Sequence, residues 1–214
     1  MTTSTLIPAL PDTPSAAAAI AHIRSHESEP VANHSVRSYL FARLLADHEG
    51  LRPGADYDTD LLFHACVLHD LGTAPASPGR ERFEVEGADL AAEFLGDQGY
   101  GAKQVDLVWE AIALHSSPGI AERRGVLARL TRRGIAADFG MDADYVTDGQ
   151  GAAVHLHHPR LDMVTALVDD IVRHAARSPR NAARFTIAGE LARERAQNAG
   201  PTSLELAAAA SRWR

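Results

Sequence analysis

The chain has 214 residues, of which 45% are apolar and 23% are charged. This composition is that of a globular protein with one well-formed core, and it excludes a fibrous or intrinsically disordered chain. The formal net charge of -7 gives no electrostatic reason to expect nucleic acid or an anionic membrane as a partner. A small-molecule enzyme or binding domain is the class that these numbers favour.

Targeting signals and special side chains narrow the choice further. The N-terminal sequence lacks the basic and apolar segments of a secretion signal, and no apolar stretch approaches the roughly 20 residues of a membrane span. We therefore expect a cytoplasmic protein. Cys66 is the single cysteine, which excludes a disulfide within the chain and a cysteine-based metal site. Lys103 is the single lysine, so a Schiff-base mechanism would depend on it alone.

Helical patterns begin early in the chain. Residues 1–14 are rich in Thr, Ser and Pro, which predicts an extended lead-in. A run of alanines from Ser15 predicts a first helix. In the next segment, "NHSVRSYLFARLLADHEG", apolar residues recur at helical spacing, with Asn33 as the expected N-cap and Gly50 as the expected stop.

The remaining segments continue the helical pattern. "DTDLLFHACVLHDLG" is apolar on nearly all sides, which predicts a buried central helix with Asp58 or Thr59 as its cap and Gly72 as its end. Four segments then repeat the apolar i, i+3, i+4 pattern: "RFEVEGADLAAEFLGDQG", "KQVDLVWEAIALHSS", "RRGVLARLTRRGIAADFG" and "PRLDMVTALVDDIVRHAARS". "NAARFTIAGELARERA" adds a polar helix. We predict an all-α, single-domain helical bundle over residues 15–200, followed by a C-terminal tail at 201–214.

Histidine and aspartate lie where these predicted helices begin or end. His34 is near the start of one helix, His69 and Asp70 close the next, and Asp138 lies in "GIAADFG". Neutral imidazole and carboxylate groups together suit Zn, Fe or Mn at neutral pH. A metal would also compensate the charge of an aspartate buried beside a histidine.

Because His69 and Asp70 are adjacent in the sequence, they can bind the same ion only if the backbone geometry allows it. Neighbouring residues on a helix point about 100° apart, so these two can share one ion only if it lies beyond the end of the helix. The structural alternative is that His69 bonds a backbone carbonyl and Asp70 caps a neighbouring helix. The dipeptide alone does not decide between them.

The wider motif set resembles the HD-domain superfamily of metal-dependent hydrolases, an all-helical fold that holds its ion with a His…HisAsp…Asp set. "NHSVRSYLFARLLA", "LHDLGT", "RFEVEGADLAAEFL", "VWEAIALHSS" and "IAADFG" are similar in order to the cyanamide hydratase-like branch, over about Ala32 to Val172. The resemblance implies one divalent transition metal, most readily Zn, with Fe or Mn as alternatives. Its implied ligands are His34, His69, Asp70 and Asp138.

The resemblance also implies a reaction on a small-molecule substrate. Metal-activated water would attack a small nitrile such as cyanamide and give a urea-type product. Asp70, Glu84 and His115 are the candidate catalytic residues, and Thr73 is the candidate substrate-binding residue. Each of the last three has a structural alternative: a helix-dipole interaction for Glu84 and His115, and a turn hydrogen bond for Thr73.

Some residues depart from the family motifs, and these departures affect the expected identity of the substrate more than the expected metal site. "RFEVEGA" lacks the paired glycine of the family, and Phe139 stands where the family tends to have Asn. Hydrolysis of a nucleotide or other phosphomonoester is the alternative function, and it would need cations such as Arg37, Arg80 or Arg82 around the phosphate.

Two further functions are less favoured by the sequence. A di-iron oxygenase would need more histidine ligands, for which His64 and His115 are nearest. A regulatory module with a degenerate site is disfavoured by the complete ligand set. The resemblance and the apolar excess on the later helices are compatible with a homodimer, and the sequence does not decide between a monomer and a dimer.

Overall fold

A computed structural model of the chain describes residues 6–197 and 200–213. Within these residues the chain forms ten α-helices and no β-strand, which confirms the predicted all-α class. The helices are α1 (Pro14–His26), α2 (Glu29–His48), α3 (Thr59–Val67), α4 (Phe83–Asp97), α5 (Ala102–Ala113), α6 (Val126–Asp138), α7 (Asp148–His157), α8 (Met163–Ala175), α9 (Ile187–Gln197) and α10 (Ser203–Ala209). None of these described helices is both long and apolar enough to cross a membrane.

The long helix α2 starts earlier than its sequence pattern predicts. It begins at Glu29, with Ser28 at the N-cap position, so the assignment of Asn33 as the cap is wrong. Pro30 lies in the first turn, where its fixed φ favours helix entry and its missing N–H costs nothing. The side chain of Asn33 instead donates to the carbonyl of Pro159 at 3.1 Å, and the helix ends before Gly50, as predicted.

Helix α3 ends before His69 and Asp70, as it must if these two residues are to share one metal ion. The side chain of Asp58 accepts hydrogen bonds from the first turn, which confirms it as the cap. The helix stops at Val67, and a short 3-10 turn follows at Leu71–Thr73. His69 and Asp70 therefore lie in the non-helical turn between the two elements, where adjacent side chains can face one point.

Two glycines allow α4 to pack directly on this turn. A Cβ atom added at Gly72 would lie 1.9 Å from the carbonyl oxygen of Phe83, and one at Gly87 would lie 2.9 Å from the carbonyl oxygen of His69. Both obstacles are backbone atoms, which cannot rotate away. The absence of these two side chains therefore sets the distance between α4 and the turn that carries His69.

The predicted C-terminal tail contains a helix that packs on the bundle. Thr202 caps α10 through its side chain, and α10 packs against α8. Beyond it Trp213 is buried, and its indole N–H donates to the carbonyl of Ala137 at 2.5 Å. The alanine-rich sequence does not predict this anchoring, because the contact depends on a residue 76 positions away.

Substitution of Gly72 by alanine tests the close packing of α4. We expect Gly72→Ala to destabilise the protein by about 3 kcal/mol, because the new methyl group meets fixed backbone. Gly96→Ala on the same helix α4 is the control, since its Cβ meets no atom within 4 Å and alanine favours helix by up to about 1 kcal/mol. Urea denaturation measures both, and equal effects at the two positions would contradict the packing argument.

Glu86 on α4 holds the preceding loop and gives a pH-dependent prediction. Its carboxylate accepts the backbone N–H groups of Gly79, Arg80 and Glu81 at 2.8, 2.5 and 3.0 Å, and His174 Nε2 lies 3.0 Å away. Burial raises the pKa of Glu86, but these hydrogen bonds outweigh it and lower the pKa to about 2. The stabilisation is therefore present above the unfolded pKa of 4.5 and is lost as the pH falls towards 2.

We expect Glu86→Gln to lower the free energy of unfolding by about 2 kcal/mol at neutral pH. The difference from the wild type should shrink as the pH falls below the ordinary glutamate range. Exposed Glu93 on the same helix supplies the matched control Glu93→Gln. Urea denaturation between pH 3 and 8 measures the difference in the free energy of unfolding. A difference that does not change with pH would show that the charge of Glu86 is not the cause of the stabilisation.

Candidate metal centre

Three buried side chains converge at the turn after α3. Asp70 Oδ2 lies 3.1 Å from His69 Nε2 and 3.7 Å from His34 Nε2. One ligand atom from each of these residues lies within 4.8 Å of the other two, and among the described residues no other group of three His, Cys, Asp or Glu side chains does so. All three side chains are at most 2% exposed. The fold thus brings His34 to the HisAsp pair, and the role of these three residues as metal ligands stays a prediction.

Hydrogen bonds on the far side of each imidazole direct the free nitrogens into this cluster. His69 Nδ1 donates to the carbonyl of Cys66 at 2.7 Å, and His34 Nδ1 donates to Asp138 Oδ2 at 2.6 Å. Each ring then presents a lone pair at Nε2. His34 Nε2 and Asp70 Oδ2 have no hydrogen-bond partner among the described residues. Lone pairs that face one another in a buried site fit a cation, and two imidazoles with a carboxylate suit a divalent transition metal.

Asp138 lies on the opposite side of the His34 ring from the cluster. Arg37 binds its carboxylate through two nitrogens, at 2.8 and 2.7 Å, and Arg160 approaches the same group at 3.1 Å. The cluster of three therefore does not include Asp138, and its role as a direct ligand stays a prediction. In the geometry described, its carboxylate fixes the tautomer and the orientation of His34.

The electrostatics of the cluster keep His34 neutral and Asp70 ionised, which are the protonation states that a metal needs from these two residues. Burial lowers the pKa of His34, so its imidazole stays neutral. Burial raises the pKa of Asp70, but the nearby imidazoles of His69, His34 and His115 outweigh it and hold the pKa below its ordinary value. Burial also lowers the pKa of His69, yet the adjacent Asp70 carboxylate raises it overall. An ionised carboxylate in this cluster thus attracts positive charge, whether a proton or a metal ion.

A cavity of about 290 Å³ opens at the cluster. His34, His69 and Asp70 form part of its wall, together with His115 and Ser116. His115 Nδ1 donates to the carbonyl of Ile112 at 2.7 Å, which leaves Nε2 as the ring nitrogen available to the cavity. Burial and the neighbouring His69 lower the pKa of His115 to about 4, so the ring is neutral at pH 7.

The other two candidate residues lie behind the cavity wall. Glu84 is fully buried and accepts hydrogen bonds from Arg82 at 2.7 Å and from the hydroxyl of Ser116. Burial raises the pKa of Glu84, but these contacts outweigh it and lower the pKa overall. Thr73 donates to the carbonyl of Asp70 at 2.8 Å, which is the turn hydrogen bond. Neither side chain is part of the cavity wall, so each can act only through a neighbour.

Sequence reasoning missed the two arginines that bind Asp138. Arg37 follows His34 by one helical turn, and this spacing alone could have placed both on the same face of α2. Arg160 carries no comparable signal, because it comes from the loop between α7 and α8 and reaches Asp138 only through the fold.

An all-helical bundle with a buried His-His-Asp cluster defines a metal-dependent enzyme of the HD type. Residues 31–149 match the family model described as HD domain, and the chain belongs to this family. It is similar to two curated relatives, the cyanamide hydratases DDI2 and DDI3 of Saccharomyces cerevisiae. Each is 24% identical over 160 residues, which cover 70% of this chain and 68% of the relative.

Metal analysis of purified variants tests the centre and the place of Asp138. We expect about one equivalent of a divalent transition metal in the wild type and none in His69→Ala or Asp70→Ala. Asp138→Asn should weaken metal affinity by roughly 10- to 100-fold without abolishing binding, as loss of a group that orients a ligand does. Exposed His157 supplies the control His157→Ala. Loss of all metal in an Asp138→Asn protein that keeps its fold would make that residue a direct ligand, and full metal in Asp70→Ala would remove Asp70 from the set.

Proposed function

We propose that the protein is a metal-dependent hydratase that adds water to the carbon–nitrogen triple bond of a nitrile-type compound such as cyanamide, giving a urea-type product. The observation that carries the proposal is the convergence of His34 Nε2, His69 Nε2 and Asp70 Oδ2 in a cavity wall. The similarity to cyanamide hydratases supports the choice of reaction.

The cluster fits one divalent transition metal, with Zn as the first choice and Fe or Mn as alternatives. His34, His69 and Asp70 would hold it, with Asp138 either as a fourth ligand or as the group that orients His34. When bound, such a metal supplies Lewis-acid chemistry, which polarises the substrate and makes water more acidic.

Proton transfer is the part of the reaction that the protein's own side chains perform. Neutral His115 carries its proton on Nδ1, so Nε2 enters the reaction as a proton acceptor. It takes a proton from water and returns it to the nitrogen that becomes anionic as the carbon is attacked. Asp70 is the second candidate acceptor, through its other carboxylate oxygen, because Oδ2 would bind the metal.

Glu84 acts on the reaction through its neighbours. Its carboxylate accepts the hydroxyl hydrogen of Ser116, which leaves the Ser116 oxygen lone pairs free to accept from an N–H group of the substrate. Glu84 is therefore a positioning residue. We assign Thr73 the same kind of role, because its hydroxyl holds the carbonyl of Asp70 and thereby the turn that presents the carboxylate.

Phosphomonoester hydrolysis is less well supported by the charges around the cavity. A phosphate needs unpaired cations, whereas Arg37 is bound to Asp138 and Arg82 to Glu84. Arg132 lies in the cavity wall and is the feature that favours this second function, but it pairs with Glu122 at 2.8 Å.

Parallel assays of the metal-loaded protein decide between the two reactions. We expect urea formation from cyanamide and no phosphate release from nucleoside monophosphates. His115→Ala should lower kcat by roughly 10²- to 10⁴-fold, because it removes the proton acceptor, while the metal content stays at the wild-type level. His157→Ala should match the wild type in both measurements. Phosphate release without action on any nitrile would reverse the assignment.

A further inference from the structure

The cavity is larger than cyanamide requires. Its volume of about 290 Å³ equals that of about ten water molecules in the liquid, at about 30 Å³ each. Cyanamide has only three non-hydrogen atoms and would fill a small part of this space. A substrate that fills it needs a body of several more atoms beyond the nitrile group.

The wall beyond the reaction site is apolar. The polar groups of the cavity are the three cluster residues, His115, Ser116 and Arg132, and the rest of the wall consists of apolar side chains. Part of that apolar wall comes from the C-terminal helices: Leu167 and Ile171 of α8, Ile187 of α9 and Leu204 of α10. All four lie outside residues 31–149, the segment that matches the HD domain model.

The charge in the wall is already balanced. Arg132 pairs with Glu122 at 2.8 Å, so the cavity does not present it as an unpaired cation to a substrate. An anionic substituent would lose its hydration in this apolar space without a partner, whereas an uncharged apolar one gains from leaving water. The wall therefore favours a neutral hydrophobic group.

We propose that the substrate is a nitrile-type compound with one uncharged apolar substituent of roughly six carbon atoms, such as an arylcyanamide or cycloalkylcyanamide. This inference rests on the proposed function. The substituent lies against the α8, α9 and α10 side chains while the nitrile faces His69 and His115. Water adds across the triple bond: its oxygen bonds to the nitrile carbon, both protons end on the former nitrile nitrogen, and no group leaves. The product is the corresponding substituted urea.

Kinetics of the metal-loaded protein with cyanamide and phenylcyanamide give the first test. We expect kcat/KM for phenylcyanamide to exceed that for cyanamide by roughly 10- to 100-fold, because the ring is buried against apolar side chains. Turnover of cyanamide without this preference would overturn the inference and leave the proposed function standing. Turnover of no nitrile at all would overturn the proposed function.

A pair of variants on α10 tests the location of the substituent. Leu204→Trp places a large ring in the apolar wall, and Leu206→Trp adds the same ring at an exposed position of the same helix. We expect the ratio of kcat/KM for phenylcyanamide over cyanamide to fall at least about tenfold in Leu204→Trp, because the added ring takes the space of the substituent. The ratio should stay at the wild-type value in Leu206→Trp, and equal ratios in the two variants would overturn the assignment.

Product binding gives a readout that does not depend on turnover. Calorimetric titration of the metal-loaded protein should show phenylurea binding at least about tenfold more tightly than urea, with a negative heat-capacity change from apolar burial. Leu204→Trp should abolish this difference and Leu206→Trp should keep it. Equal affinity for phenylurea and urea in the wild type would overturn the inference.

Discussion

The carboxylate of Asp138 is fully buried, and the need to compensate its charge holds together the part of the bundle that carries the metal centre. Arg37 of α2 binds both of its oxygens and His34 donates to one of them, so α2 and α6 are joined by charge as well as by apolar contact. A missing Cβ at Gly134 lets the two helices approach, since a methyl group there would lie 2.4 Å from the carbonyl of Ser38. Removal of one partner from such a pair costs about 3 to 5 kcal/mol, because the other charge stays buried.

The sequence predicts that His34, His69 and Asp70 come together, and part of the information for this is local. The apolar run before His69 and the helical spacing around His34 each specify backbone that carries these side chains. Gly72 does not end the helix, which stops at Val67. The place of Asp138 was harder to predict, since a carboxylate can bind a metal or orient a ligand, and the choice depends on Arg37 and on an arginine from a distant loop. Helix starts were predicted less well where proline entered the first turn, as it does in α2.

The reaction site and the substrate wall come from different parts of the chain. The cluster residues lie on elements within residues 31–149, and so does His115. Much of the apolar wall comes from α8, α9 and α10, which sequence patterns could place as helices but could not place over the cavity. This division means that side chains on the C-terminal helices can change while the groups that hold the metal stay the same.

The burial of Trp213 has a consequence for the order of folding. Its indole N–H bonds to the carbonyl of Ala137, directly before Asp138, while Asp138 itself bonds to His34 across 104 positions. Contacts of such separation form only after the entropy of closing long loops has been overcome. On a ribosome, α2 and α3 emerge long before Trp213 does. The bond between the Trp213 indole and the carbonyl of Ala137 can therefore form only after Trp213 has left the exit tunnel, later than the contacts among the helices that precede it.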